Sequence, residues 1–100
     1  MRRAARVDAN QKQIVEYLRK LGASVQPLHT VGQGCPDLAV GYGGVNYLVE
    51  VKDGAKPASA RKLTPDEERW HQGWLGRVHV VACEWDCEVM LQIEDQVHGD

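Results

Sequence analysis

The sequence has no phenylalanine, no long apolar run, no excess of positive charge and only three cysteines. The missing apolar run excludes a membrane-spanning helix, which needs ~20 such residues. Arg2, Arg3 and Arg6 charge the N-terminus, but no apolar segment follows them, so the pattern of a secretory signal is missing. An odd number of cysteines in a short chain does not make a disulfide framework, and a cytoplasmic address is expected. Cys83 and Cys87 stand close together, but no second Cys or His pair completes a zinc site, so buried structural thiols are expected. His29, His71, His79 and His98 likewise show no ligand spacing. The absent phenylalanine has no structural consequence, since the hydrophobic fraction is ordinary.

What remains is a chain of 100 residues, the size of one domain (1–100), with fraying expected at 1–7 and 95–100. Its formal net charge of −2 argues against a simple DNA-coating protein. The distribution is uneven. Residues 1–62 carry ten Lys or Arg against five acids, and residues 63–100 carry two against nine. Such asymmetry lets one half sit on a polyanion while the other faces away, and it also arises by chance on a solvated surface.

Local signals give the order helix, three strands, helix, strand, helix. Asp8 and Gln11 have capping-box spacing ahead of Ile14, Leu18 and Leu21, and Gly22 stops the run, which predicts a helix over 9–21. A short strand over 23–28 is expected near a sheet edge because of Pro27. Residues 37–41 and 45–52 read as strands joined through Gly43-Gly44. Residues 53–62 read as a mobile loop. Thr64-Pro-Asp-Glu67 is a second capping box, opening a helix that carries Trp70 and Trp74 and ends at Gly76. Residues 78–83 read as a buried strand, and 85–94 as a helix burying Val89, Met90 and Ile93.

The chemistry lies in the hairpin. A two-residue turn at Gly43-Gly44 sets Tyr42 against Val45 and, counting back, Asp37 against Glu50. Directly opposed residues share a face of the sheet, so two carboxylates meet and repel. A divalent cation between them removes the repulsion, and two carboxylates plus water suit Mg²⁺ or Mn²⁺. Alternation places Lys52 on the same face, while Tyr47, Val49 and Val51 point into the core. This register depends on the turn, since a three-residue loop would break it. A cation, two acids and an ammonium on one patch suit phosphodiester hydrolysis, with the lysine orienting or deprotonating water or neutralising charge on phosphorus. The plainer alternative is a strand-start Asp37 beside an exposed Glu50–Lys52 ion pair.

Pro36-Asp37, the hairpin and Glu50-Val51-Lys52 resemble the motif of the PD-(D/E)XK nuclease superfamily. More narrowly, four segments resemble the small virus-type VRR-NUC domain of phages. They are Asp8-Ala-Asn-Gln-Lys-Gln-Ile-Val, Val31-Gly-Gln-Gly-Cys-Pro-Asp-Leu, Leu48-Val-Glu-Val-Lys-Asp-Gly and Lys62-Leu-Thr-Pro-Asp-Glu, within about 6–83. The resemblance implies an α/β fold with a restriction-endonuclease-like αβββαβ core, a mixed sheet flanked by helices. It implies that Asp37, Glu50 and the Val51 carbonyl bind Mg²⁺ or Mn²⁺, and that Lys52 assists the attacking water. It further implies a homodimeric endonuclease selective for branched DNA such as Holliday junctions, in a bacterial or phage-infected cell.

Superfamily members often place another acid on the first helix. Gln11 lies there in this chain, as a candidate metal or substrate contact, and Glu16 is expected to be solvated. Lys56, Arg61 and Lys62 are candidate DNA contacts on the loop after the catalytic strand, and His71 is a candidate substrate contact. Trp70 and Trp74 read as core by their helical spacing, with base stacking as the alternative. Two rival functions are a nucleic-acid-binding module of the same fold without catalysis, and a protein-interaction domain using the acidic half.

Overall fold

The computed structural model describes residues 10–93. Helix α1 (Gln11–Lys20) is followed by strands β1 (Ser24–Pro27), β2 (Leu38–Tyr42) and β3 (Val45–Val51). A 3-10 turn (Ala58–Arg61) then leads to helix α2 (Pro65–Gly73), strand β4 (Val78–Val81) and helix α3 (Glu84–Leu91). The sheet order is β1-β2-β3-β4, antiparallel except that β4 runs parallel to β3. The fold is therefore α/β with a mixed sheet, an arrangement compatible with the expected αβββαβ core. Among the described residues no helix is long and apolar enough to cross a membrane.

The hairpin has the anticipated register. Tyr42 faces Val45 and Leu38 faces Val49. Gly43 and Gly44 have φ of +59° and +82°, the pair of positive values that a two-residue type I′ turn needs. The left-handed turn matches strand twist, and that fixes which residues share a face. Leu38, Val40, Val49 and Val51 fall on one face and are buried there with Ile14 and Leu18 of α1, Val81 of β4, and Cys87, Met90 and Leu91 of α3.

Several boundaries and burials differ from the sequence expectation. Helix α1 opens at Gln11, so Gln11 is not the third residue of a capping box; Asp8 lies outside the described residues, as do Arg2, Arg3, Arg6 and His98. Asn10 stands at the N-cap without capping, because its side-chain amide donates instead to the carbonyls of Lys52 (2.8 Å) and Ala82 (3.1 Å). Helix α2 stops at Gly73, three residues before Gly76. Trp74 leaves in extended conformation, yet its ring stacks on Trp70 with centroids 4.7 Å apart. Neither tryptophan is core: Trp70 is half-buried and Trp74 is 45% exposed.

Strand β4 is shorter than expected and is not buried throughout. It lies at the sheet edge, and only Val81 is fully covered, with Val80 exposed. Helix α3 turns Val89 outward and buries Cys87, Met90 and Leu91, while Ile93 packs on the core from beyond the helix end. Of the three thiols only Cys87 is buried; Cys83 is exposed and Cys35 half-buried.

Candidate active site

The register that buries Leu38 and Val49 sends their neighbours Asp37 and Glu50 to the opposite face of the sheet. Asp37 stands immediately before β2. Its backbone carbonyl accepts from the Leu28 amide (2.7 Å) and its Oδ2 accepts from the Val51 amide (2.8 Å). The carboxylate is thus fixed against the end of the neighbouring strand. Glu50 is only 1% exposed, and its Oε1 is buried without a hydrogen-bond partner. Burial, then the nearby Asp37 charge, then Glu67 push its carboxyl up to about 10.

Lys52 and helix α2 complete the wall. Lys52 Nζ lies 3.9 Å from Glu50 Oε2 and 2.8 Å from Glu67 Oε1. His71 Nε2 lies 3.7 Å from Glu50 Oε1, too far for a hydrogen bond, and is itself buried and unpartnered. Glu67 and His71 stand one helical turn apart, so a single face of α2 covers Glu50 and Lys52. Burial alone would raise the Glu67 carboxyl, but hydrogen bonds from Lys52 and the Thr64 amide outweigh it and hold it below its ordinary value.

Sequence reasoning assigned Glu67 only to its capping box, which does form: Thr64 Oγ1 accepts from the Glu67 amide, and Glu67 Oε1 accepts from the Thr64 amide. Its contact with Lys52 crosses fifteen positions and leaves no periodic trace. Cys35 was also missed as a neighbour of the site. Burial, then the charges of Glu50 and Asp37, raise its thiol.

The other anticipated residues lie at varying distance from this centre. Val51 sits at the end of β3, beside Asp37 through its amide. Gln11 is 4% exposed with its Oε1 unpartnered, and the preceding Asn10 ties that end of α1 to the Lys52 carbonyl. Glu16 is exposed, as expected. Lys56 and Lys62 are exposed, whereas Arg61 is half-buried and lines a separate depression with Asp53, Glu84 and Asp86. Glu67 of the acidic half pairs with Lys52 of the basic half. A broad cavity lies elsewhere, among Tyr47, Leu48, Trp74, Arg77 and His79, and includes none of Asp37, Glu50 and Lys52.

The loop before Asp37 is pressed onto the first turn of α2. A Cβ on Gly34 would lie 2.2 Å from the Asp66 carbonyl oxygen, and Gly34 has φ of +85°. Both the contact and the backbone require glycine. Gly34→Ala is expected to separate the loop from α2 and destabilise the fold by about 2 kcal/mol or more. Urea denaturation of the variant measures this, and an unchanged midpoint would contradict the close approach.

The residues present fit a hard divalent cation. Two carboxylates face one spot, and one of them is buried with an unpartnered oxygen. Among the described residues no three His, Cys, Asp or Glu side chains form a metal cluster. No family model, no curated protein and no solved structure matches this chain.

Proposed function

We propose that this chain is a metal-dependent DNA endonuclease of the PD-(D/E)XK kind, similar to the VRR-NUC domain. The observation carrying the proposal is the buried Glu50 side chain, one of whose oxygens has no hydrogen-bond partner, set beside Asp37 with Lys52 on the same face. Asp37, Glu50 and the Val51 carbonyl would hold Mg²⁺ or Mn²⁺. When bound, the cation supplies Lewis acidity toward a phosphoryl oxygen and a lowered pKa for water. Asp37 orients its carboxylate through the Val51 amide, and Glu50 contributes an oxygen that no protein donor occupies. The Lys52 ammonium donates to the phosphoryl group and offsets the negative charge that grows on it. Exposed Lys56 and Lys62 supply phosphate contacts along the duplex.

The test is cleavage of end-labelled single-stranded, duplex, flap and four-way-junction DNA with Mg²⁺, Mn²⁺, Ca²⁺ or EDTA. Cleavage is expected with Mg²⁺ and Mn²⁺, strongest on the junction. Little is expected with Ca²⁺, whose looser coordination positions water poorly, and none with EDTA. Undiminished cleavage in EDTA would rule out the mechanism, and binding without cleavage would favour a non-catalytic module.

Symmetric cleavage of a junction calls for two equivalent sites, which a two-fold homodimer provides. Support comes from the apolar surface this small domain leaves uncovered: Leu75 is 100% exposed, Trp85 57% and Trp74 45%. Light scattering at micromolar concentration is expected to give twice the 11.2 kDa of one chain. A monomer mass with and without junction DNA would reject the dimer.

A further inference from the structure

Glu67 has two jobs in the structure, and only one belongs to its helix. As the third residue of a capping box it needs the Thr64 amide, which it accepts at 2.9 Å. The same Oε1 also accepts from Lys52 Nζ at 2.8 Å. Glu67 is within hydrogen-bond distance of Lys52, and Glu50, at 3.9 Å, is not. We propose that Glu67 is a positioning residue of this site, whose carboxylate holds the Lys52 ammonium beside the Asp37–Glu50 pair. The proposal rests on the nuclease reading for its consequence, but not for the contact itself.

Three arguments carry it. A lysine has four rotatable side-chain bonds, so an ammonium that must meet one phosphoryl oxygen needs a fixed partner. Cation binding at Asp37 and Glu50 would repel the ammonium, and a full negative charge on its far side offsets that repulsion. Glu67 is also anchored independently of Lys52, through the Thr64 amide and the favourable N-terminal end of the α2 dipole. It is a fixed post: Gly34 pressed against Asp66 ties the loop before Asp37 to the same helical turn. One turn of α2 thus holds both the lysine and the approach to the first carboxylate.

The experiment compares Glu67→Ala, Glu67→Gln and Thr64→Ala in the full chain. Thr64→Ala removes the other half of the capping box while leaving the Glu67 carboxylate beside Lys52. One readout is the ¹⁵N signal of the Lys52 ammonium, visible when hydrogen bonding slows its exchange with water. The other is junction cleavage, resolved into kcat and KM. Glu67→Ala is expected to weaken the ammonium signal and lower kcat by about 10²-fold with KM little changed, the size of effect that misplacing one catalytic group produces. Glu67→Gln, which keeps an acceptor oxygen but not the charge, is expected to recover part of both. Thr64→Ala is expected to lower the melting temperature while keeping kcat within about twofold of wild type and the signal intact. An unchanged Lys52 signal in Glu67→Ala, or an equal loss of kcat in folded Thr64→Ala, would overturn the proposal. If the wild-type chain cleaves no DNA, the nuclease reading fails alone, and the ammonium signal still decides whether Glu67 holds Lys52.

Discussion

Asp37→Asn, Glu50→Gln and Lys52→Met are each expected to lower cleavage by about 10³-fold or more, and the double variant Asp37→Asn/Glu50→Gln little further. The reason for non-additivity is that, in the proposed mechanism, the two carboxylates would serve one cation. Removing either dismantles the site, and a second removal finds nothing left to lose. Asn and Gln are chosen over Ala because of the hydrogen bonds. Asp37 Oδ2 accepts the Val51 amide at 2.8 Å, so Asp37→Ala leaves a backbone donor unpaired and costs about 1–3 kcal/mol. Asp37→Asn keeps an acceptor there.

Glu50→Gln replaces a crowded carboxyl by a neutral group of the same shape and is expected to fold at least as stably without metal. Lys52→Met has the opposite sign, since it leaves Glu50 and Glu67 without the ammonium between them. Circular dichroism and single-turnover cleavage measured on the same samples separate folding from chemistry. Wild-type rates in any one of the three folded variants would remove that residue from the mechanism.

The hairpin was legible in the sequence because its geometry is local. Two glycines able to adopt positive φ dictate a two-residue turn, the turn dictates the register, and alternation then places Asp37, Glu50 and Lys52 on one face. The α2 capping box was legible for the same reason. Features decided by tertiary contact were not. Asn10 gave up capping for the carbonyls of Lys52 and Ala82, and no local pattern announces that choice. Strand β4 is apolar enough to read as buried, but its place at the sheet edge leaves Val80 exposed.

Trp70 and Trp74 were misread because stacking at four-residue spacing needs neither core burial nor a continuing helix. In the site itself, the sequence offered the two acids and the lysine but not their surroundings. Glu67 and His71 arrive from α2 because the chain returns across the sheet between β3 and β4. The degree to which Glu50 is covered follows from that return rather than from its own neighbours.

That covering predicts a pH dependence of stability in the absence of metal. The Glu50 carboxyl, ordinarily near 4.5, is pushed up to about 10 in the fold by burial, by Asp37 and by Glu67. Between those values the folded protein keeps a proton that the unfolded chain releases. The stabilisation is therefore complete below the unfolded value and is lost as pH rises toward the folded one. A single such group gives a slope of up to about 1.4 kcal/mol per pH unit. In EDTA, the wild-type melting temperature is expected to fall steadily from pH 5.5 to 7.5, by the equivalent of about 2–3 kcal/mol.

Glu50→Gln cannot release that proton, so its curve is expected to be flatter by this amount. The comparison between the two proteins cancels groups common to both, including His79, which burial and then Arg77 lower. Saturating Mg²⁺ or Mn²⁺ is expected to raise the wild-type melting temperature most at the higher pH, where less work is needed to remove the proton before binding. Calorimetry in buffers of different ionisation enthalpy is expected to find about one proton released per cation bound near pH 7. Parallel wild-type and Glu50→Gln stability curves across this range would mean that Glu50 is ionised in the metal-free fold. The buried carboxylate pair would then lack the strain that makes it a cation site.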